Sequence, residues 1–370
     1  MDNNELLDII TRFDITGTIQ EIKPLGEGLI NDTYKVVTSE ADQPDYVLQR
    51  VNHNVFPDVN MVMRNIEAVT NHIRQKLLAK GETDIERKVL RFIPAKQDGK
   101  LYIIEDGKYW RLMVFIPNAI TKQAVNPESS YAAGLAFGEF QAMLADIPIE
   151  LGETIKDFHN MEFRLKQLDE AIERDAMGRV REPQVQQMLR VIEKYAYEMC
   201  KAERMGREGI LPKRVCHCDT KVNNMMFDHN NQVLCVIDLD TVMPNYIFSD
   251  YGDFLRTAAN FVAEDDPEMK SVGFNMDIFR AFTEGYLHSA SSFLLPVEIE
   301  NLPYAAALFP FMQCVRFLWD YLSGDKYWKS KYPQHNYIRA NNQLHLFLSV
   351  LDHEEEMKAF IQQCLSKEKA

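Results

Sequence analysis

Hydrophobic and polar residues alternate along short segments in the first third of the chain, and apolar residues recur at helical spacing over most of the remainder. The alternation predicts strands over 17–25, 32–38 and 46–52, and two or three further strands within 88–104 and 109–116, with turns at 97–99 and 105–107. Helical spacing predicts helices over 2–14, 59–77, 131–145, 162–176, 183–207, 250–261, 276–289, 303–322 and 343–367. We therefore expect an α+β protein with two lobes: a small β-rich N-terminal lobe with one main helix, and a large, mostly helical C-terminal lobe.

Composition limits the class of partner. The 370 residues are 46% hydrophobic and 26% charged, which is typical of a soluble globular protein. A net charge of −14 argues against nucleic acid, because nucleic-acid phosphates are bound by lysine and arginine. No segment predicts a signal peptide or a membrane span. The six cysteines show no disulfide or zinc pattern, so we expect reduced thiols in a cytoplasmic protein.

The segment 215–241 has the densest group of candidate catalytic residues. His217, Asp219 and Asn224 have the H-x-D-x-x-x-x-N spacing of a kinase catalytic loop. A kinase must hold a triphosphate, a metal ion and an acceptor hydroxyl in line. We expect Asp219 to accept the hydroxyl proton, Lys221 to neutralise charge on the transferred phosphoryl group, and Asn224 to bind magnesium. His217 is expected to brace the loop.

A predicted hairpin returns the chain towards this loop. Strands over 225–227 and 233–237 flank a polar turn, and Asp238 follows the second strand. Magnesium prefers oxygen ligands and usually takes one or two carboxylates together with phosphate oxygens. Asp238 is therefore the predicted carboxylate ligand, and Asp240, predicted to lie on the same strand face, a second one. The alternative is a buried hairpin with incidental acidic residues.

A glycine-containing turn between the first two predicted strands is a candidate phosphate site. Gly26, Gly28 and Asn31 form a G-x-G-x-x-N pattern, and glycines let backbone amides approach phosphates closely. On the third strand, Arg50 is the candidate cation for the phosphates. Glu67, on the next helix, is its candidate partner, by analogy with the lysine–glutamate pair of kinases. A plain hairpin turn, a solvent-facing arginine and a solvated glutamate are the alternatives.

The crossover between the lobes is expected where an apolar strand ends at Pro117. This divides the chain into a nucleotide-binding lobe over 1–116, a linker over 117–126 and a helical catalytic and substrate-binding lobe over 127–370. Backbone groups at the crossover could hydrogen-bond an adenine. A loop that simply follows a core strand is the alternative.

The chain resembles the aminoglycoside phosphotransferase and choline kinase superfamily, which shares the protein-kinase-like fold. Within it, the closest resemblance is to the bacterial N-acetylhexosamine 1-kinases, and it extends from about residue 15 to about 350. Five segments carry the resemblance: 25–36, 217–224, 236–244, 249–253 and 316–318. The segment 236–244, Val-Ile-Asp-Leu-Asp-Thr-Val-Met-Pro, together with the catalytic loop, narrows it to the sugar 1-kinase branch.

The resemblance implies transfer of the ATP γ-phosphate, with Mg2+, to the anomeric hydroxyl of N-acetylglucosamine or N-acetylgalactosamine. It also implies that Asp219 is the base and that Asn224 and Asp238 bind magnesium. Lys221 departs from the aminoglycoside enzymes, which commonly have histidine there. The alternatives are a kinase for another small alcohol, such as choline, homoserine or an aminoglycoside, and a binding protein without catalysis. The oligomeric state stays open.

A sugar site needs fixed polar groups and an apolar or aromatic face. Arg316 and Tyr327 are the first candidates for substrate contacts, with Asp320 and Phe254 behind them. The alternative is that these are core aromatics and ion pairs within helices. An i,i+3 pair of Asp253 with Arg256 would be structural in the same way.

Overall fold

The computed structural model describes residues 3–26, 31–122 and 124–368. It divides into two compact units. Unit 1 comprises residues 1–120, 146–156 and 225–243, and unit 2 comprises residues 121–145, 157–224 and 244–370. The predicted fold class is confirmed, since unit 1 contains a small antiparallel sheet and unit 2 is mostly helical. The sequence pattern does not indicate that residues 146–156 and 225–243 belong to the same unit as the N-terminal sheet.

Unit 1 is built on a five-stranded antiparallel sheet with the strand order β1-β2-β3-β5-β4. The strands are β1 (Ile19–Pro24), β2 (Asp32–Thr38), β3 (Tyr46–Val51), β4 (Ile103–Glu105) and β5 (Lys108–Val114). Three helices accompany it: α1 (Asn3–Thr11), α2 (Val59–Ala79) and α3 (Ile85–Lys88). Two strands, β4 and β5, form where two or three were predicted within 88–104 and 109–116.

The two faces of the sheet are covered differently. Leu48 of β3 and Trp110 of β5 pack in one buried core with α1. Successive strand residues point to opposite faces, so Arg111 faces away from that core. Its guanidinium reaches Met63 of α2, with 3.8 Å between Nη1 and Sδ. α1 therefore lies on one face of the sheet and α2 on the other.

Unit 1 also contains the predicted hairpin. Strands Met225–Phe227 and Val233–Val236 pair antiparallel, with Met225 opposite Val236. A single 3-10 turn, Leu239–Thr241, follows Asp238. The hairpin prediction is confirmed, but Asp240 lies in this turn and not on a strand.

Unit 2 consists mainly of helices. They are α4 (Pro127–Leu144), α5 (Met161–Arg174), α6 (Pro183–Met199), α7 (Lys201–Arg207), α8 (Phe248–Ala258), α9 (Met276–Ala290), α10 (Pro296–Glu300), α11 (Leu302–Ser323), α12 (His335–Asp352) and α13 (Glu354–Glu368). The helix predicted over 183–207 is two helices divided at Cys200, and the one predicted over 343–367 is divided at His353. Among the described residues, no helix is long and apolar enough to span a membrane.

Glycines allow α4 and α9 to pack with their backbones in contact. A Cβ atom added at Gly134 would lie 2.1 Å from the carbonyl oxygen of Phe282. In the reverse direction, a Cβ atom added at Gly285 would lie 2.2 Å from the carbonyl oxygen of Tyr131. Any side chain at these positions would force the helices apart, since neither neighbour is a flexible side chain.

We predict that Gly285→Ala lowers the free energy of unfolding by about 3 kcal/mol or more, because the new methyl group overlaps backbone atoms. Gly178→Ala is the matched control, since Gly178 has φ +65 and a Cβ atom added there would meet no atom within 4 Å. In the control, the free energy of unfolding should fall by only about 1–2 kcal/mol, the cost of the left-handed backbone for a residue with a side chain. Urea unfolding measures both, and equal losses would contradict close packing at Gly285.

Candidate active site

The predicted catalytic loop is held by a buried carboxylate. Asp250, at the start of α8, accepts hydrogen bonds from the backbone N–H groups of His217 (2.9 Å) and Cys218 (2.8 Å). The side-chain amide of Gln141 donates a third, at 2.8 Å. Burial raises the pKa of Asp250, and these donors, together with the nearby imidazole, oppose the shift. Asp250 therefore holds two consecutive backbone N–H groups of the loop, and Asp253 holds a third, that of Thr220, at 3.2 Å.

The backbone of the loop is strained at Cys218, which has φ 63. Every other non-glycine residue with positive φ in the described ranges is an aspartate or an asparagine, and these tolerate the left-handed region better. Such strain costs about 1–3 kcal/mol and persists where the surroundings enforce it. The bond from the Cys218 N–H to Asp250 provides that constraint immediately before Asp219.

Three predicted residues meet at the carboxylate of Asp219. The Lys221 Nζ atom lies 2.7 Å from Oδ1, and the Asn224 amide donates to Oδ2 at 3.0 Å and to the Asp219 carbonyl oxygen at 2.8 Å. Although burial opposes it, the carboxylates of Asp219 and Asp253 raise the pKa of Lys221. Lys221 is therefore cationic at neutral pH. The two bonds of Asn224 also orient its amide oxygen away from Asp219.

Asp240 in unit 1 has a structural role. Its side chain is 3% exposed, Arg111 Nη1 forms an ion pair with Oδ1, and Asn31 Nδ2 donates to Oδ2 at 2.8 Å. The prediction that Asp240 helps to bind metal is therefore wrong for this structure, because both oxygens are already engaged. Asp238 directly precedes the turn and has φ 60.

Asn31 is also occupied by protein contacts. Its Oδ1 atom accepts the backbone N–H of Asn52 at 2.9 Å, while its amide binds Asp240. Asn31 therefore anchors the end of the glycine-containing turn. Its side chain already binds protein groups, so it is not free to make the predicted nucleotide contact. Gly26 has φ +71 and open space at its Cα, as an approach to phosphate requires. Gly28 lies outside the described residues.

Arg50 lies on the wrong face of the sheet for its predicted role. By alternation it shares the face of Leu48, which packs in the core with α1, and it forms an ion pair with Asp32. Glu67 is exposed on α2, and among the described residues no ion pair joins it to Arg50. The predicted Arg50–Glu67 pair is therefore wrong.

The buried cation of this sheet is Arg111. It lies opposite Gln49 of β3, whose Oε1 atom accepts from Arg111 Nε at 3.0 Å and from Nη2 at 2.8 Å. Sequence reasoning missed Arg111, although a lone arginine inside the apolar segment 110–116 was the available signal.

Arg316 and Tyr327 belong to a cluster in unit 2 that includes residues missed by sequence reasoning. The Arg316 guanidinium lies 5.5 Å from the ring centre of Phe158 and 5.2 Å from that of Trp328. Burial lowers the pKa of Arg316, and the adjacent Tyr327 opposes the shift. Tyr327 is 55% exposed. These aromatic and cationic groups form what we call the acceptor cluster: Phe158, His159, Arg164, Arg316, Tyr327 and Trp328.

Two other predicted substrate contacts are core residues instead. Phe254 is fully buried and stacks on Phe282 with ring centres 4.1 Å apart. Asp320 is also fully buried and accepts the backbone N–H groups of Lys326, Tyr327 and Trp328. The direct contacts predicted for both are therefore wrong for this structure. Asp320 fixes the loop that carries Tyr327.

Fixed positive charge dominates the acceptor cluster. Burial and the nearby Arg316 lower the pKa of Arg164, but an arginine stays charged at neutral pH. Burial, followed by Arg316 and Arg164, lowers the pKa of His159 well below its usual value, while Asp219 opposes the shift. His159 is therefore neutral and lies within electrostatic range of both Asp219 and the two arginines.

A profile of the phosphotransferase enzyme family matches residues 21–285. This range contains the glycine-containing turn, the catalytic loop and the hairpin before Asp238. The chain belongs to the phosphotransferase enzyme family.

Solved structures with the same fold include a phosphotransferase and two kinases. An aminoglycoside phosphotransferase from Alicyclobacillus acidocaldarius has a TM-score of 0.62 at 13% identity, over 95% of this chain and 96% of that one. A choline kinase from Cryptosporidium parvum has a TM-score of 0.59 at 14% identity, over 97% and 99%. An amicoumacin kinase in complex with AMP-PNP and Ca2+ has a TM-score of 0.56 at 12% identity, over 96% and 94%. At these identities the likeness extends to the fold.

We predict that Asp240→Asn lowers the stability of this phosphotransferase by about 3 kcal/mol, because it leaves the buried Arg111 unpaired. The double variant Arg111→Met/Asp240→Asn should lose less than the sum of the single losses, since both remove the same interaction. Urea unfolding without added metal provides the measurement.

Asp238→Asn is the control for Asp240→Asn, since asparagine tolerates the left-handed conformation of Asp238. It should lose less stability than Asp240→Asn. A stabilising effect of Asp240→Asn would instead indicate relief of acidic repulsion, as expected for a metal ligand, and would contradict the positioning role.

Proposed function

We propose that this phosphotransferase is an ATP- and magnesium-dependent kinase that phosphorylates the anomeric hydroxyl of N-acetylhexosamines. The observation that carries the proposal is the arrangement at Asp219, where a carboxylate, a lysine and an oriented amide meet close to an acceptor cluster of fixed positive charge. The choice of an amino sugar rests on the resemblance of segment 236–244 to the sugar 1-kinases.

Asp219 is suited to be the base because its carboxylate is held in place by its neighbours. In the proposed reaction, the anomeric hydroxyl gives its proton to Asp219 as its oxygen bonds to the γ-phosphorus. The bond from that phosphorus to the bridging oxygen breaks, and ADP leaves. The ammonium of Lys221 lies 2.7 Å from Asp219, where it can stabilise negative charge on the transferred group.

The residues present fit a magnesium ion. The amide of Asn224 is oriented by its two hydrogen bonds to Asp219, which leaves its oxygen as an acceptor for a hard cation. Asp238 would supply a carboxylate. The described residues contain no group of three acidic, histidine or cysteine side chains that could hold a metal. Such sparse ligation suits magnesium, which takes further oxygens from phosphate and water. Bound magnesium would neutralise charge on the phosphates.

The acceptor cluster favours a neutral acceptor over a cationic one. Arg316 is close enough to Arg164 to lower its pKa, and both arginines lower the pKa of His159. A choline or an aminoglycoside would bring further positive charge into this partly desolvated space, where repulsion is strong. A sugar offers hydroxyl and acetamide groups that can accept hydrogen bonds from guanidinium, while its apolar ring face can pack on the aromatic residues.

We predict that the protein with ATP and Mg2+ converts N-acetylglucosamine or N-acetylgalactosamine to the 1-phosphate, as detected by phosphorus NMR. Unlabelled choline or kanamycin at equal concentration should not compete, because the cluster repels cations. Formation of a 6-phosphate, or turnover of choline in preference to any amino sugar, would overturn the proposal.

We also predict that Asp219→Asn lowers kcat by about a thousandfold or more, since positioned proton transfer contributes 10²–10⁴-fold. The KM for the sugar should change little, because the amide keeps the shape of the side chain. Asp277→Asn, at an exposed carboxylate on α9, is the control and should be as active as the native protein. Unchanged turnover in Asp219→Asn would rule out the assigned base.

A further inference from the structure

A cavity of about 390 Å³ lies in unit 2 next to the acceptor cluster. It is lined by α5, by the last turns of α11 and by the loop that follows them. Among its walls are Gln167, Trp319, Ser323 and Tyr327. The volume lies within the range of small-molecule sites and suits a ligand the size of one sugar ring.

Two contacts join this cavity to the acceptor cluster. Gln167 lines the cavity, and its Oε1 atom accepts a hydrogen bond from Nη1 of Arg164 at 2.8 Å. Tyr327 lines the cavity and is also close enough to Arg316 to raise its pKa against the effect of burial. Arg164 therefore contacts one residue of the cavity wall, and Arg316 lies near another. The cavity is adjacent to the acceptor cluster.

The wall has the residue types that bind saccharides. The rings of Trp319 and Tyr327 meet edge to face, with centres 5.9 Å apart and an angle of 65°. Aromatic faces pack against the C–H groups of a pyranose, and a few polar groups then fix its orientation. The amide nitrogen of Gln167 donates to no described residue, and Ser323 adds a hydroxyl group.

Charges at the cavity do not select an ion. Glu170 and Asp320 contribute carboxylates, while Arg174 and Lys326 contribute cations. The mixture of signs contrasts with the acceptor cluster, where the fixed charges are positive. A neutral ligand is therefore the better match.

The spacing along α11 matches the length of a sugar. Trp319 and Ser323 follow Arg316 by three and seven residues, which is about 4.5 and 10.5 Å along the helix axis. The shorter spacing is about that of one pyranose ring and the longer about that of two linked rings. An acceptor whose anomeric carbon is at Asp219 and whose ring contacts Arg316 would therefore direct its far end towards the cavity.

We propose that the cavity is a second saccharide subsite. It would bind a neutral sugar linked to the acceptor on the side away from the anomeric carbon, so that disaccharides with N-acetylhexosamine at the reducing end are also substrates. This inference rests on the proposed function. The transfer step is unchanged: the reducing-end anomeric oxygen bonds to the γ-phosphorus of ATP, its proton passes to Asp219, and ADP leaves.

The test compares N-acetylglucosamine with its β-1,4-linked disaccharide as acceptors for the full-length protein with ATP and Mg2+. Both should be phosphorylated. Trp319→Ala should raise the KM for the disaccharide by about tenfold, the value of one aromatic contact, and change that for the monosaccharide less than about twofold. Trp319→Phe should restore most of the loss, because a ring is present again.

Ser323→Trp provides an independent variant that fills the cavity. It should abolish disaccharide turnover and leave monosaccharide turnover intact, which also shows that the variant folds. Tyr197→Ala removes an exposed aromatic on α6, outside the cavity, and is the matched control. It should leave both acceptors unaffected.

The outcomes separate the two proposals. Turnover of the monosaccharide but not of the disaccharide overturns the second subsite and leaves the proposed function standing. Equal losses for both acceptors in Trp319→Ala overturn the subsite too, since Trp319 would then only support Tyr327. Turnover of neither acceptor by the native protein overturns the proposed function, and the subsite with it.

Discussion

The predicted catalytic loop depends on the buried carboxylate of Asp250. Asp250 is 1% exposed and is stabilised by donors: two backbone N–H groups of the loop and the amide of Gln141. The orientation of that amide is set in turn by the hydroxyl of Tyr286, which donates to Gln141 Oε1 at 2.6 Å. A buried polar network of this kind is stabilising only when every member is satisfied.

This network connects helix packing to chemistry. Gln141 lies on α4 and Tyr286 on α9, and the glycines at the contact of these helices, including Gly134, bring their backbones together. If the helices moved apart, Gln141 and Tyr286 could not both reach their partners. Asp250 would then lose a donor, and the strained backbone at Cys218 would lose part of its support. Small residues far from Asp219 in sequence therefore contribute to its position.

The sequence allowed prediction of features that are local. The spacing of Asp219, Lys221 and Asn224 is contained in one loop, so residues that act together are also neighbours in sequence. Strands β1 to β3 and helix α2 were predictable for the same reason, because alternation and helical periodicity are local signals. The divisions at Cys200 and His353 have neither glycine nor proline, and so gave no such signal.

Features that depend on distant partners were not predictable. Asn31 and Asp240 are 209 positions apart, and nothing in either segment specifies their hydrogen bond. The prediction for Arg50 failed because alternation divides a strand into two faces without saying which face meets α2. The register of β3 with β5 decides this, and it places Arg111 beside Gln49.

The net charge of the chain also differs in sign from the charge of the acceptor cluster. The chain has a net charge of −14, yet the charges fixed in the acceptor cluster are those of Arg164 and Arg316. Charges beyond about one Debye length are screened in solution, whereas partly buried ones nearby are not. In the proposed reaction, the same arginines would repel a cationic acceptor and would stabilise the negative charge that develops during transfer. The overall acidity of the protein is therefore a weaker guide to the proposed acceptor than the local arginines are.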